Sequence, residues 1–289
     1  MSSSRIFFLT LLTMIAFAGN SVLCRIALKR TDIDAASFTS IRLVSGAVVL
    51  WAIASFFRSN SAGRGNWLSA FALFAYATGF SFAYINLTAA TGALILFGAV
   101  QATMIGHGIW AGEQFHKQQL FGLLLALGGL VGLLLPGLSA PPLVGSVLML
   151  IAGVAWAVYS LRGKGAGNPT RITAGNFLRA MLFAVLLSVV LHSSAKMEIV
   201  GVWYAIISGA VASGLGYAIW YSVLPALKAA TAATVQLSVP VIAALGGIIF
   251  LGESLTVRFV LASLAILGGI ALVILSKPQC NSAKPSSSA

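Results

Sequence analysis

Tyr76, Phe80 and Tyr84 recur at four-residue steps, which places the three rings in one stripe along a helix. Ser213, Tyr217 and Tyr221 repeat the spacing later in the chain, with Trp220 beside them. Asn20, Gln101, Gln236 and Ser238 fall near the centres of long apolar runs, and Trp156 lies well inside another. In hydrocarbon a polar group without a partner costs several kcal/mol, so each amide and the indole N–H must face another helix or a wet cavity. Packing between helices accounts for any one of them. Together they describe an amphipathic wall, with rings for the apolar part of a ligand and amides to orient its polar part. The candidate substrate-binding residues are Asn20, Tyr76, Phe80, Tyr84, Gln101, Trp156, Tyr217, Trp220 and Gln236.

Bond-making chemistry has no comparable signature. The chain holds no HExxH, no Walker-type Gly-Lys-Ser and no Cys/His cluster, so no enzyme activity, cofactor or metal is expected. Its five acids, Asp32, Asp34, Glu113, Glu198 and Glu253, fall at the ends of apolar runs. A proton-coupled drug antiporter keeps a carboxylate at mid-membrane, where burial raises its pKa and lets it trade a proton for a cation. Movement of a solute down its own gradient is therefore expected. Glu113 and Glu253 each precede the next run, where a carboxylate meets unpaired N–H groups and the positive end of the helix dipole, worth ~0.3–1 kcal/mol; a coupling role is the alternative.

Arg42 and Arg179 lie about two turns inside their runs, where an unpaired cation costs at least ~2.5 kcal/mol. Reaching the interface, capping carbonyls of a neighbouring helix, or meeting a substrate carboxylate at a gate would each satisfy them. His107 is expected to be a buried structural histidine rather than a proton relay.

The elements that position these groups must lie in a bilayer. With 59% apolar residues, 8% charged and a mean hydropathy of +1.01, the chain has too little polar surface for a water-soluble globule. Apolar runs near 5–28, 34–57, 66–86, 91–112, 118–136, 142–162, 172–193, 199–223, 228–251 and 256–276 are each long enough to span as a helix. Alternating porin-like segments are absent. The net charge of +12 therefore speaks of topology and not of nucleic acid.

With the N-terminus inside, ten basic residues flank the cytoplasmic ends (Arg5, Arg58, Arg64, Lys117, Arg162, Lys164, Arg171, Lys228, Lys277 and Lys284). Five flank the outer ends (Arg25, Lys29, Arg30, Lys196 and Arg258), so both termini are expected in the cytoplasm. The first residues imitate a secretory signal, but the apolar run continues past Gly19 and reads as a span. Cys24 and Cys280 do not suggest a disulfide, and the Ser/Lys-rich stretch from Pro278 reads as a disordered tail.

The chain is also written twice. Residues 87–135 lie over 227–275 at a constant offset of 140, and fourteen of forty-nine positions are identical, against ~10% expected for two apolar stretches of this bias. The identities include Ala89/Ala229, Thr91/Thr231, Gly112/Gly252 and Glu113/Glu253. An offset of 137 sets Arg42 on Arg179, Phe80 on Tyr217 and Tyr84 on Tyr221, and one of 136 sets Asn20 on Trp156. Each half then holds five helices. Five is odd, so the second half enters the membrane inverted. The expected fold is an all-α integral membrane protein of ten transmembrane helices in two inverted five-helix repeats, 1–136 and 137–277, with 278–289 as tail. The Gly/Ala-dense stretches Leu123–Leu135 and Leu261–Leu275 are expected to let helices approach closely.

Five plus five spans, Gly112-Glu113 and Gly252-Glu253 after the fourth and ninth, an arginine in the second and seventh, and Pro240 within the ninth resemble the EamA-type members of the drug/metabolite transporter superfamily. The resemblance covers nearly the whole chain. It implies export of small metabolites across the inner (plasma) membrane by alternating access, through a central cavity lined by helices 1, 3, 4, 6, 8 and 9. One departure is visible: Val100 stands where the second half has Pro240, so a kink is expected in one half only. Few basic residues at mid-depth argue against a diphosphate ligand such as a nucleotide sugar, and an aromatic wall with amides suits a neutral or zwitterionic solute such as an amino acid. A drug carrier, a channel and a non-transporting scaffold are the alternatives; the last leaves the repeat and the buried amides without a purpose. A monomer is compatible with all of these.

Overall fold

The computed structural model describes residues 2–56, 64–112, 117–135, 137, 140–163, 168–227 and 235–275. Glu113, the first residues of the expected ninth span, and the tail lie outside them. The described residues fall into ten helices and contain no strand: α1 Ser3–Arg30, α2 Ala35–Phe56, α3 Trp67–Tyr84, α4 Ala89–Trp110, α5 Lys117–Leu134, α6 Leu143–Arg162, α7 Pro169–Val190, α8 Ile199–Ala226, α9 Ser238–Leu251 and α10 Val257–Leu275. All but α9 among these are long and apolar enough to cross a membrane.

Side chains that relieve orphan N–H groups mark where helices start. Asn66 accepts from the Ser69 N–H at 2.8 Å to open α3, and Asn168 accepts from the Arg171 N–H at 3.2 Å ahead of Pro169 to open α7. Asp34 accepts from the N–H groups of Ala36 and Ser37, both at 2.9 Å, to open α2, and its other oxygen accepts from Lys196 N–H at 2.8 Å. Partial burial pushes the Asp34 carboxyl up, but these hydrogen bonds outweigh it and hold the group below the usual carboxylate range.

The two halves differ at their fourth helices. A turn at Leu237 separates helical residues 235–236 from α9, so the helix is interrupted within the turn that precedes Pro240, which the proline ring and its missing N–H disturb. The interruption falls where the expected proline kink would lie. α4, with Val100 at the same place, runs unbroken to Trp110. Both are followed by glycine in the left-handed region, Gly112 at φ 90° and Gly252 at φ 65°, which explains why the repeat keeps glycine there.

Helix packing comes in pairs that the repeat relates. α1 packs on α8 and α9 as α6 packs on α3 and α4; α2 packs on α8 as α7 packs on α3; α2–α7, α4–α9 and α5–α10 pair across the halves. The first helix of each half therefore seats itself in the other half. The Gly/Ala-dense α5 and α10 form the most extensive of these pairs, as their composition demands.

Burial is inverted relative to a soluble protein. Val48, Trp51, Leu124, Val131, Val185 and Leu264 stand exposed, while Asn20, Thr39, Arg42, Gln101, Asn176 and Ser208 are buried. That distribution fits a chain whose solvent is hydrocarbon.

α8 is irregular in the middle. It runs as α-helix to Ile207, as π-helix over Ser208–Leu215, and as α-helix again from Gly216. The wider π turn shifts the side chains that follow, a local device frequent at functional sites.

Candidate functional site

α1, α3, α4, α6, α8 and the residues leading into α9 converge on one narrow cleft. Its walls are Phe17, Asn20 and Ser21 of α1, Tyr76 and Phe80 of α3, Leu96 and Phe97 of α4, Trp156 of α6, Ala212 and Tyr217 of α8, and Gln236 before α9. The half-buried Trp156 organises the rings. Its indole stacks on Tyr217 at 5.2 Å and 28°, and meets Tyr76 at 4.8 Å and 47°. Phe17 closes edge-on against Tyr217 at 5.7 Å, and Phe80 lies 5.5 Å from Tyr76. Offset and edge contacts of this kind add ~0.5–1.5 kcal/mol per pair beyond burial.

The polar corner is built on Asn20. Ser208 donates to its Oδ1 at 2.5 Å, and its Nδ2 donates to the Tyr76 hydroxyl at 3.4 Å. Behind Tyr76 lies Arg42, which is 2% exposed. Its Nη2 donates to the same hydroxyl at 3.1 Å and its Nε to Ser213 Oγ at 3.4 Å, while its guanidinium carbon sits 5.3 and 4.8 Å from the ring centres of Tyr76 and Phe80. Both serines come from the π segment of α8. That segment reaches α2 because residue 209 is glycine: a Cβ there would fall on the Arg42 carbonyl oxygen and the Ser45 hydroxyl.

Six of the nine residues singled out from the sequence line this cleft: Asn20, Tyr76, Phe80, Trp156, Tyr217 and Gln236. Tyr84, Gln101 and Trp220 are buried but do not border it. Tyr84 donates to the Ala89 carbonyl at 3.4 Å and packs edge-on against Phe80, and Trp220 packs against Phe17 at 6.2 Å. Phe17 had a signal in the sequence, since it lies one turn before Asn20. Ser208 had none, because its position depends on the π turn.

The charged groups divide by depth. Arg179, the repeat partner of Arg42, caps backbone: its Nη1 donates to the carbonyls of Arg64 at 2.5 Å and Gly175 at 2.8 Å, and its guanidinium lies over Trp67. His107 is exposed near the end of α4, beside Trp110, and is not the buried residue expected. Glu253 does not cap α10, whose first turn is held by Thr256 through the Phe259 N–H at 3.1 Å. It instead accepts from Ala89 N–H, at the start of α4, at 2.8 Å and pairs with Arg25 of α1 at 3.3 Å. Arg25 Nη1 donates in turn to the carbonyls of Tyr84 and Ile85, each at 2.8 Å. This buried clamp pins the second half to the first at one end of the bundle. At the other end a polar cleft of about 350 Å³ opens among Asn66, Ser69, Tyr159, Arg162, Asn176 and Tyr221.

Apolar spans, polar side chains buried among them and an aromatic cleft between two repeats are the features of a membrane transporter. The chain belongs to the EamA-like transporter family, whose profile matches residues 4–135 and again 143–275. It is 55% identical over 275 residues to the "Uncharacterized protein PA1977" of Pseudomonas aeruginosa, covering 95% of this chain and 96% of that one. It is 25% identical to the "Uncharacterized transporter YoaV" of Bacillus subtilis over 83% of this chain and 87% of that one. It is 35% identical to the "Threonine/homoserine exporter RhtA" of Salmonella typhimurium over 169 residues, 54% of this chain and 56% of that one. A crystal structure 18% identical superposes with a TM-score of 0.67 over 94% of this chain and 98% of its own, which supports the fold alone.

Proposed function

We propose that the protein exports small neutral or zwitterionic amino acids across the plasma membrane by alternating access through the aromatic cleft. The carrying observation is the cleft's composition: aromatic rings from α1, α3, α4, α6 and α8, amides at Asn20 and Gln236, and no described carboxylate within it. Rings accept an apolar or short side chain, and the Asn20–Tyr76 corner orients the polar end. The partial match to an exporter named for threonine and homoserine supports the same substrate class.

The ends of the bundle fit one step of such a cycle. The Arg25–Glu253–Ala89 clamp ties the halves together at one end, beside a cleft bordered by Thr88, Thr91 and Thr256, and another cleft lies around Arg162 at the other end. With both termini in the cytoplasm, the clamped end faces outward. Separating the halves there requires the ion pair to break.

Counterflow with purified protein in liposomes tests the reading. Vesicles loaded with unlabelled amino acid should accumulate labelled L-threonine or L-phenylalanine transiently and saturably. Flux that rises linearly without saturation would make the protein a channel, and absence of flux for every amino acid would overturn the proposal.

A further inference from the structure

Arg42 is a cation without a counter-ion. It lies 98% buried, by its 2% exposure, and no described carboxylate stands within ion-pair distance of it. Among the described acids, Glu253 is held by Arg25, Asp34 caps α2, and Glu198 accepts from the Asp32 N–H. The guanidinium spends Nη2 on Tyr76 and Nε on Ser213, and two ring faces lie against it. Nη1 is fully buried and makes no hydrogen bond.

This arrangement is not the one an arginine adopts when it only holds helices together. Arg179 shows that alternative in the same molecule, because its Nη1 donates to two carbonyls. Hydroxyls and rings soften the field of Arg42 but leave its charge unbalanced, and a buried guanidinium binds best to the planar, bidentate acceptor it lacks here. The missing partner is an anion of carboxylate geometry. Its route is short, since Tyr76 and Phe80, which line the cleft, lie against the Arg42 guanidinium, and Tyr76 shares its hydroxyl between Arg42 and the cleft-lining Asn20.

We propose that Arg42 is the anchor for the substrate's carboxylate. The solute's α-carboxylate takes the Nη1 face of Arg42, its side chain lies among Trp156, Tyr217 and Phe17, and Tyr76 moves from the guanidinium to let it in. The inference rests on the amino-acid reading and deepens it. It assigns a carboxylate as the obligatory group and excludes amines and neutral drugs as good ligands.

The test compares ligands that differ only at that group, using quenching of Trp fluorescence by the purified wild-type protein. L-phenylalanine and 3-phenylpropionate, which keep the carboxylate, should bind. L-phenylalaninamide, which loses it and carries net positive charge, should bind about 10- to 100-fold more weakly, the scale of a charge-assisted hydrogen-bonded contact. Equal binding of acid and amide would overturn the anchor while leaving amino-acid transport standing.

Arg42→Gln should bring the acid-to-amide ratio close to one, and Arg42→Lys should restore part of it; a purely structural arginine would weaken both ligands equally and leave the ratio unchanged. Should Arg42→Gln fail to fold, the wild-type ligand series decides alone. Should phenylpropionate bind in an Arg42-dependent way while no amino acid shows counterflow, the anchor stands and the amino-acid reading falls.

Discussion

Trp156 stacks on Tyr217 and meets Tyr76 within the cleft, and it also meets Tyr159 beyond it. Truncating such a central aromatic typically costs ~1–3 kcal/mol, so Trp156→Ala should weaken apparent affinity about 5- to 150-fold while the protein remains folded. Saturation kinetics of counterflow measure it, and an unchanged half-saturation would place the ring in packing alone. At this scale the sequence was informative where helical period decides the neighbours: Tyr76 and Phe80 share a face because they are four residues apart. It could not separate Arg42 from Arg179. The two match in type and repeat position, and they differ in what surrounds them, a π-helical serine and two rings for one and backbone carbonyls for the other.

Between elements, close approach and ion pairing set the geometry. Gly209→Ala would drive a methyl into the α2 backbone at Arg42, an overpacking that costs ~1–3 kcal/mol. It should lower the thermal midpoint in detergent and also weaken substrate binding, because Ser208 and Ser213 move with the backbone; a variant with both properties intact would show that α8 tolerates displacement. Glu253→Gln leaves Arg25 a buried charge without its partner, a loss of about 3 kcal/mol rather than the fraction of a kilocalorie an exposed helix-start carboxylate supplies. A double-mutant cycle with Arg25→Gln measures the coupling, and additive effects would mean the pair contributes nothing across the halves. Helix existence was legible from run length, but the place of the turn at Leu237, between helical residues 235–236 and Ser238, was not.

For the whole molecule, topology and energetics can be checked independently of the site. The odd repeat and the excess of basic residues at one set of ends predict both termini in the cytoplasm, so reporter fusions at Ser59 and Ala166 should both give cytoplasmic signals. A periplasmic signal from either would reverse the orientation. With no described carboxylate in the cleft, solute flux should persist when a protonophore collapses the proton gradient, and His107→Ala, exposed on α4, should transport as the wild type does. Solute-driven proton movement that vanishes in His107→Ala would make the protein a proton antiporter.

The unequal fates of Arg42 and Arg179 bear on direction. Two inverted halves of identical chemistry would present the same face to either compartment, and such a carrier would have one half-saturation constant. Here one arginine has been drawn inside and its twin tied to backbone, so the two halves are chemically unequal. Microscopic reversibility still requires Vmax/KM to be equal in both directions for a solute moving only down its own gradient. What the asymmetry permits is a different KM on each face, offset by a matching difference in Vmax: inward and outward flux can saturate at different concentrations while remaining equal for dilute solute, without an energy source and without violating equilibrium.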